Sequence, residues 1–437
     1  MSIFTKWRRK SGNQDGAVRL GRYTDAYKSL EQLSSWEEAR AAFENNDPAS
    51  AVLSLVQYLR DEREQNLVLE QGEPLIFSFF QGSKKIKVHL DDNRLFAESR
   101  IARVEGNDNS WMPRLLEDNY HFEFCKYAMR GRGELLLMFE SHLADLTEYK
   151  FYYALRELAL VADKMDDLLI GQSAALHRNT DSHIVPHEEG IFNAKKRFFR
   201  LHLDHLLSDL REVNESHGLH YRILDTVYAM DYYLQPQGEV MEAFERIHNL
   251  YFSMSLPDHS SKNRAAREIL EGLSGMRDEK LKEEFYEVKH TFGILKPVDH
   301  ITIRTLIDGE RRNLSWYREQ GNQDIIKAIC GYIIGFCVFS YAPPQPLRDL
   351  FDMYFRYREP EFLSSLSGAQ EGPHGGGEPV DKEKLKEELI KLQNSYQGRY
   401  PGLRTDPDQI DDISGAGFDC SLIEMAYDMD LDPVSDQ

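Results

Sequence analysis

Cysteine is scarce in this chain: Cys125, Cys330, Cys337 and Cys420 are the only four in 437 residues, and none forms a Cys-x-x-Cys pair. That spacing argues against a disulfide scaffold and a zinc ribbon. Positive charge is also short, with 53 Lys and Arg against 73 Asp and Glu and a formal net charge of −20. Nucleic acid is therefore not an expected partner, because phosphate binding needs a basic face. Long apolar runs are absent. The longest, Ala328 to Ala342, has 15 uncharged residues, short of the ~20 that a spanning helix needs. It predicts a helix buried on all sides or an oligomer interface, and no membrane span. The basic start (Lys6, Arg8, Arg9, Lys10) lacks the apolar stretch of a secretory signal, so a cytoplasmic location is expected. No P-loop, GxGxxG, GxSxG or HExxH occurs, and no cofactor is expected.

What is present suffices for large cores. Hydrophobic residues make up 41% and aromatics 11%, and at ~150 residues per domain the length suggests about three units. Charge is concentrated at the ends. Residues 1–22 carry six basic groups against Asp15, whereas residues 401–437 carry ten acids against Arg404. Residues 1–30 thus read as a basic arm. The segment 368–379 (GAQEGPHGGGEP) reads as a flexible linker. A short charged helix follows it, and then an acidic tail, so that residues 366–437 are expected to be mostly disordered on their own.

Between these ends two patterns alternate. In residues 31–172, Asp47-Pro48 marks a helix start, and LIFSFF, KKIKVHLD and RLFAESRIARV read as strands. WMPRLLEDNY reads as a short helix. A hairpin around Gly131-Arg132-Gly133 precedes a long helix capped by Thr147, with apolar positions Phe151, Leu155, Leu158, Val161 and Met165. The order is α-β-β-β-α-β-β-α, with an extra strand possible at 67–71. Residues 173–190 read as a linker. Residues 191–365 keep a 3.6-residue apolar period, broken at Gly and Pro into roughly eight helices without strand-like alternation. The expected fold class is α+β: a small antiparallel-sheet domain, an all-α helical domain, and a flexible acidic tail.

The first domain resembles the bacterial YbjN family and the class I type III secretion chaperones. The resemblance rests on Leu115-Leu116-Glu117-Asp118-Asn119, Phe124 to Lys126, Gly131 and Gly133, Asp145-Leu146-Thr147, Ala154-Leu155 and Ala162-Asp163. It covers about 140 residues and implies a chaperone-like, non-enzymatic module that binds a polypeptide partner, often as a homodimer.

Glu245/His248 and Glu287/His290 are i,i+3 pairs in helical stretches; with Glu212 and Glu310 they match the ligand set of a di-iron bundle, the alternative reading as a metalloprotein or enzyme. Fifteen His and 39 Glu in 437 residues give about one such pair by chance, and a third pair, Glu371/His374, sits in the Gly-rich linker. The bland reading, solvated side chains without a metal, is preferred. The same holds for His202/His205, His217/His220, and His177, His183 and His187. Asp163, Asp166 and Asp167 read as a solvated helix end, and Cys330 and Cys337 as small core residues. In the tail, Leu422, Ile423, Met425 and Tyr427, interleaved with Asp428, Asp430 and Asp432, read as a docking segment for a partner surface, in the same chain or in another.

Overall fold

The computed structural model describes residues 20–432 except 71–73, 92, 107, 132, 171–172, 180–183, 213–217, 254–255, 257, 367–381 and 411–415. The basic arm before residue 20 and the Gly-rich linker with Glu371/His374 lie outside the described residues. Two compact units form. The sheet unit holds Tyr23–Pro186 and Tyr286–Ile294; the helical unit holds His187–Phe285 and the chain from Leu295 onward, with the segment ending at Arg22.

The sheet unit opens with α1 (Leu30–Glu44). Ser29 and Gln32 form a reciprocal capping box there. Helix α2 (Pro48–Leu59) starts where the Asp47 side chain accepts the Ser50 N–H, and it buries Val52, Leu55, Val56 and Leu59. Then follow β1 (Leu67–Leu69), β2 (Leu75–Gln81), β3 (Lys84–Leu90), β4 (Arg94–Val104), α3 (Met112–His121), β5 (Lys126–Arg130), β6 (Glu134–His142), α4 (Glu148–Ile170) and β7 (Leu176–His177). The sheet is antiparallel in the order β1-β2-β3-β4-β6-β5, with β7 beside β4. Phe77 lies opposite Val88, Val88 opposite Ala97, and Ala97 opposite Phe139. The pleat sends that row to one face, where it packs with Phe151, Leu155 and Leu158 of α4. The other face carries Lys87, Glu98, Met138 and Lys126 in register.

Residues 286–294 complete this core from far along the chain. Phe292 is 1% exposed, with its ring 5.7 Å from Phe79 and 5.3 Å from Tyr152. The Gln81 side-chain carbonyl accepts the N–H groups of Thr291 and Phe292 at 3.2 and 2.9 Å. The Thr291 hydroxyl donates to the Phe80 carbonyl and accepts from Asn66, each at 2.9 Å. A continuous helical domain over 191–365 therefore gives way to helices interrupted by a strap that belongs to the sheet unit.

The helical unit comprises α5 (Glu189–Glu212), α6 (Leu219–Leu234), α7 (Gly238–Phe252), α8 (His259–Ser274), α9 (Asp278–Glu284), α10 (His300–Glu319), α11 (Gln323–Ser340), α12 (Gln345–Arg358), α13 (Pro360–Leu366), α14 (Lys382–Tyr396) and α15 (Gly417–Asp428). Helices α6 and α11 pack against each other at its centre. Gly331 and Gly335 permit their approach: a Cβ at Gly335 would meet the Tyr228 Cβ at 2.6 Å, and one at Gly331 the Asp225 carboxylate at 2.0 Å. Helix α11 contains the apolar run and is long and apolar enough to cross a membrane; in this fold 78% of it is buried inside the protein.

The C-terminal segment corrects the expectation of disorder. Helix α14, the predicted charged helix, buries Leu385, Leu389 and Leu392. Helix α15 packs on α10, α11 and α12 and buries Phe418, Leu422, Ile423, Met425 and Ala426. The physical reason is burial: the apolar side of this acidic stretch removes enough surface from water to offset its ordering entropy.

Candidate functional site

The structure sorts the residues singled out in the sequence. Leu422 and Ile423 are 0% and 1% exposed, and Met425 is 3% exposed. Tyr427 lies against the guanidinium groups of Arg304 and Arg311, at 4.6 and 3.6 Å from its ring centre. Asp428, Asp430 and Asp432 stand exposed. The docking segment therefore binds in cis, on its own helical unit. Of the two routes that the sequence leaves open, docking onto the same chain is the one this fold displays.

The Glu-x-x-His pairs fall in different units and have other partners. Glu245 forms an ion pair with Arg22 at 3.3 Å, and His248 hydrogen-bonds with the Tyr228 hydroxyl at 2.8 Å. Burial, and then the nearby Arg22, lower the His248 pKa to about 4. Glu287 is exposed on the strap, where His290 stacks on Tyr23 at 5.3 Å. Glu310 accepts the Tyr221 hydroxyl at 2.5 Å, and the Glu212 side chain lies outside the described residues. Glu245, His248, His290 and Glu310 are thus engaged elsewhere. Among the described residues no group of three or more His, Cys, Asp or Glu is placed to hold a metal ion.

The remaining groups also have structural partners. His202 reaches the Phe198 carbonyl at 2.9 Å, while His205 is exposed. His220 stacks on His259 at 4.3 Å, and His177 faces Glu105 at 3.7 Å. His187 sits 2.9 Å from the Lys195 amine; burial and that amine lower its pKa to about 3. His183 and His217, and the side chains of Asp166 and Asp167, lie outside the described residues. Asp163 is a turn cap, not a solvated acid: its carboxylate accepts the Ser83 N–H at 3.1 Å. Cys337 is fully buried in the core.

Two features escape a reading by motif. The first is a set of ion pairs in the helical core. Arg358 reaches Asp225 at 2.5 and 2.9 Å. Arg22 reaches Asp231 with two bonds of 2.9 Å and lies 3.7 Å over the Phe339 ring. Both acids sit on the otherwise buried helix α6. Charge inside an apolar helix signals a buried pair, and removing one partner would leave the other charge buried alone.

The second feature is an aromatic patch on the sheet unit. Trp36 of α1 lies 4.9 Å from Tyr58, 5.3 Å from Tyr149 and 6.0 Å from Tyr152. The i,i+4 spacing of Tyr149 and Tyr153 puts both on one side of α4, where they are 56% and 50% exposed. Leu33, one turn before Trp36, is also exposed. Beneath them Tyr152 donates its hydroxyl to Asp25; burial and Asp25 raise the pKa of Tyr58 to about 12. Tyr58 and Tyr152 thus stay protonated near neutral pH. Around them Glu31, Glu37 and Glu38 are exposed on α1. The outer face of the sheet differs: Arg94 pairs with Glu140, Arg130 with Glu98, and Arg100 with Glu134. That is a solvated antiparallel face. Compared by sequence, the chain matches no protein-family model and no curated protein.

Proposed function

We propose that this protein is a non-enzymatic binding protein of the chaperone or adaptor type, in which the sheet unit takes a polypeptide partner on the patch formed by Leu33, Trp36, Tyr149 and Tyr153. The observation that carries this reading is the half-exposure of Tyr149 and Tyr153 beside Trp36. Tyr and Trp are enriched among the residues that dominate binding energy at protein interfaces, because they supply large area at small entropy cost. The resemblance of residues 31–172 to the YbjN and secretion-chaperone families points the same way. The exposed Glu31 and Glu38 favour a segment with apolar anchors and basic flanks.

The test places a photo-crosslinking amino acid at Tyr153 in the full chain and compares it with a variant also carrying Trp36→Ala and Tyr149→Ala. The expected result is a polypeptide adduct that the substitutions abolish while the thermal melt of the protein persists. An adduct between two copies of the chain would identify the partner as a second copy. Equal adducts from both forms, or none in extracts of the source cells, would refute the patch as the binding surface.

A further inference from the structure

The four cysteines are not equivalent. Cys125 and Cys337 are buried apart, and burial pushes both thiols well above their ordinary range. Cys330 and Cys420 meet. Cys330 sits on α11 in the core, 0% exposed, and Cys420 sits partly exposed on α15. Their Sγ atoms are 3.8 Å apart. A disulfide needs about 2.05 Å, so the two sulfurs lie in contact and bond formation requires a further approach of the side chains. The hydrogen bond with Cys330, and then Arg318, hold the Cys420 thiol down at about 7 against the cost of its burial. The same hydrogen bond, and then burial, push the Cys330 thiol well above its ordinary range, so of the two Cys420 gives the thiolate, the reactive form, more readily.

We propose that Cys420 and Cys330 are an oxidant-responsive pair: Cys420 reacts with a hydroperoxide, and Cys330 resolves the product to an intrachain disulfide that fastens α15 to α11. The geometry assigns the order. Cys420 is the thiol that a small oxidant reaches, and Cys330 is the buried neighbour. In the first step the Cys420 thiolate attacks the O–O bond of hydrogen peroxide. One oxygen transfers to sulfur, giving the sulfenic acid, and the other leaves as hydroxide, which becomes water by taking a proton from solvent. In the second step the Cys330 sulfur attacks Cys420 Sγ. The S–O bond breaks, and the departing hydroxide leaves as water with the Cys330 proton. Two thiols lose two electrons, one peroxide gains them, and two waters form. The disulfide closes a loop running from residue 330 to residue 420, so that the C-terminal segment, otherwise held by burial and by contacts such as Arg311–Glu424, becomes covalently joined to the central helix.

The full-length protein is exposed to a modest excess of hydrogen peroxide, blocked with iodoacetamide, and digested for mass spectrometry. The expected product is a linked peptide pair containing Cys330 and Cys420, lighter than the two thiols by two hydrogen atoms and reversed by dithiothreitol. Cys330→Ser should leave Cys420 as a sulfenic acid that dimedone traps, and Cys420→Ser should leave Cys330 reduced. Both variants are checked by thermal melt; alkylation of the untreated wild-type chain, expected fastest at Cys420, supplies a measurement that needs no substitution. Peroxide oxidation that spares Cys420, or that carries it to the sulfinic acid without the 330–420 link, would overturn the proposal.

Discussion

The attachment of α15 separates two forces. Its apolar residues Leu422 and Ile423 are 0% and 1% exposed, whereas Asp428, Asp430 and Asp432 face solvent. Truncating a buried Leu or Ile to Ala costs about 2–5 kcal/mol. Adjacent sites do not add strictly, so Leu422→Ala with Ile423→Ala should cost on the order of 4–8 kcal/mol. That is comparable with the ~5–15 kcal/mol that holds a whole domain together, so α15 should detach or the helical unit should melt early. Exposed ion pairs are typically worth roughly 0–1 kcal/mol and are screened within about 10 Å at 0.1 M salt, so replacing the three acids by Asn should leave α15 in place. The assay is amide hydrogen exchange of residues 417–428, with urea melts, at physiological salt. The double Ala variant should lose protection across α15, and the triple Asn variant should keep it. The reverse ranking would show that charge, not burial, holds the segment.

Other substitutions probe the rest of the framework. Phe292→Ala should destabilise the sheet unit by about 3–5 kcal/mol, because the ring fills its core beside Phe79 and Tyr152; a change under ~1 kcal/mol in urea melts would mean the strap only rests on the surface. Gly335→Ala should cost about 1–3 kcal/mol by overpacking, since its new methyl meets Tyr228; an unchanged melting temperature would contradict the close α6–α11 approach. Arg358→Met should cost about 3–5 kcal/mol by leaving Asp225 buried without its partner, and Asp225→Asn in the same chain should restore part of that loss. His248 titrates at about 4 in the fold against 6.5 as its ordinary value. Below pH 6.5 the unfolded chain binds a proton the folded one refuses, so this group's stability is lost as pH falls from 6.5 towards 4. Asp349 and Asp419, raised to about 6 chiefly by burial, act oppositely and favour the fold at the acid end. The His248→Gln variant should therefore lose less stability than wild type between pH 6.5 and 4.5 in urea melts; equal losses would remove His248 from the account.

The local elements were legible along the chain. Strand alternation and the Thr147 cap marked β2 to β6 and α4, and the uncharged run from Ala328 marked α11, because a half-buried strand and an all-round buried helix leave their period or composition in the chain. The antiparallel sheet followed by helices was legible for the same reason. Helix α1 was not: it buries little beyond Ala39, so no apolar stripe announces it, and only the Ser29–Gln32 capping box marks its start. Tertiary structure alone decided the rest. The fate of Leu422 and Ile423 depended on a complementary surface from α10, α11 and α12, built by residues a hundred positions away, so the same acidic-apolar pattern that suits a free docking peptide became part of a core. The apolar period put residues 286–294, with Glu287 and His290, among the helices, yet Gln81, Asn66 and Asp25 satisfy their backbone and side chains and assign them to the other unit. The pairing of Cys330 with Cys420 follows from the same cause: spacing along a chain says which groups share an element, and only packing says which groups from distant elements meet.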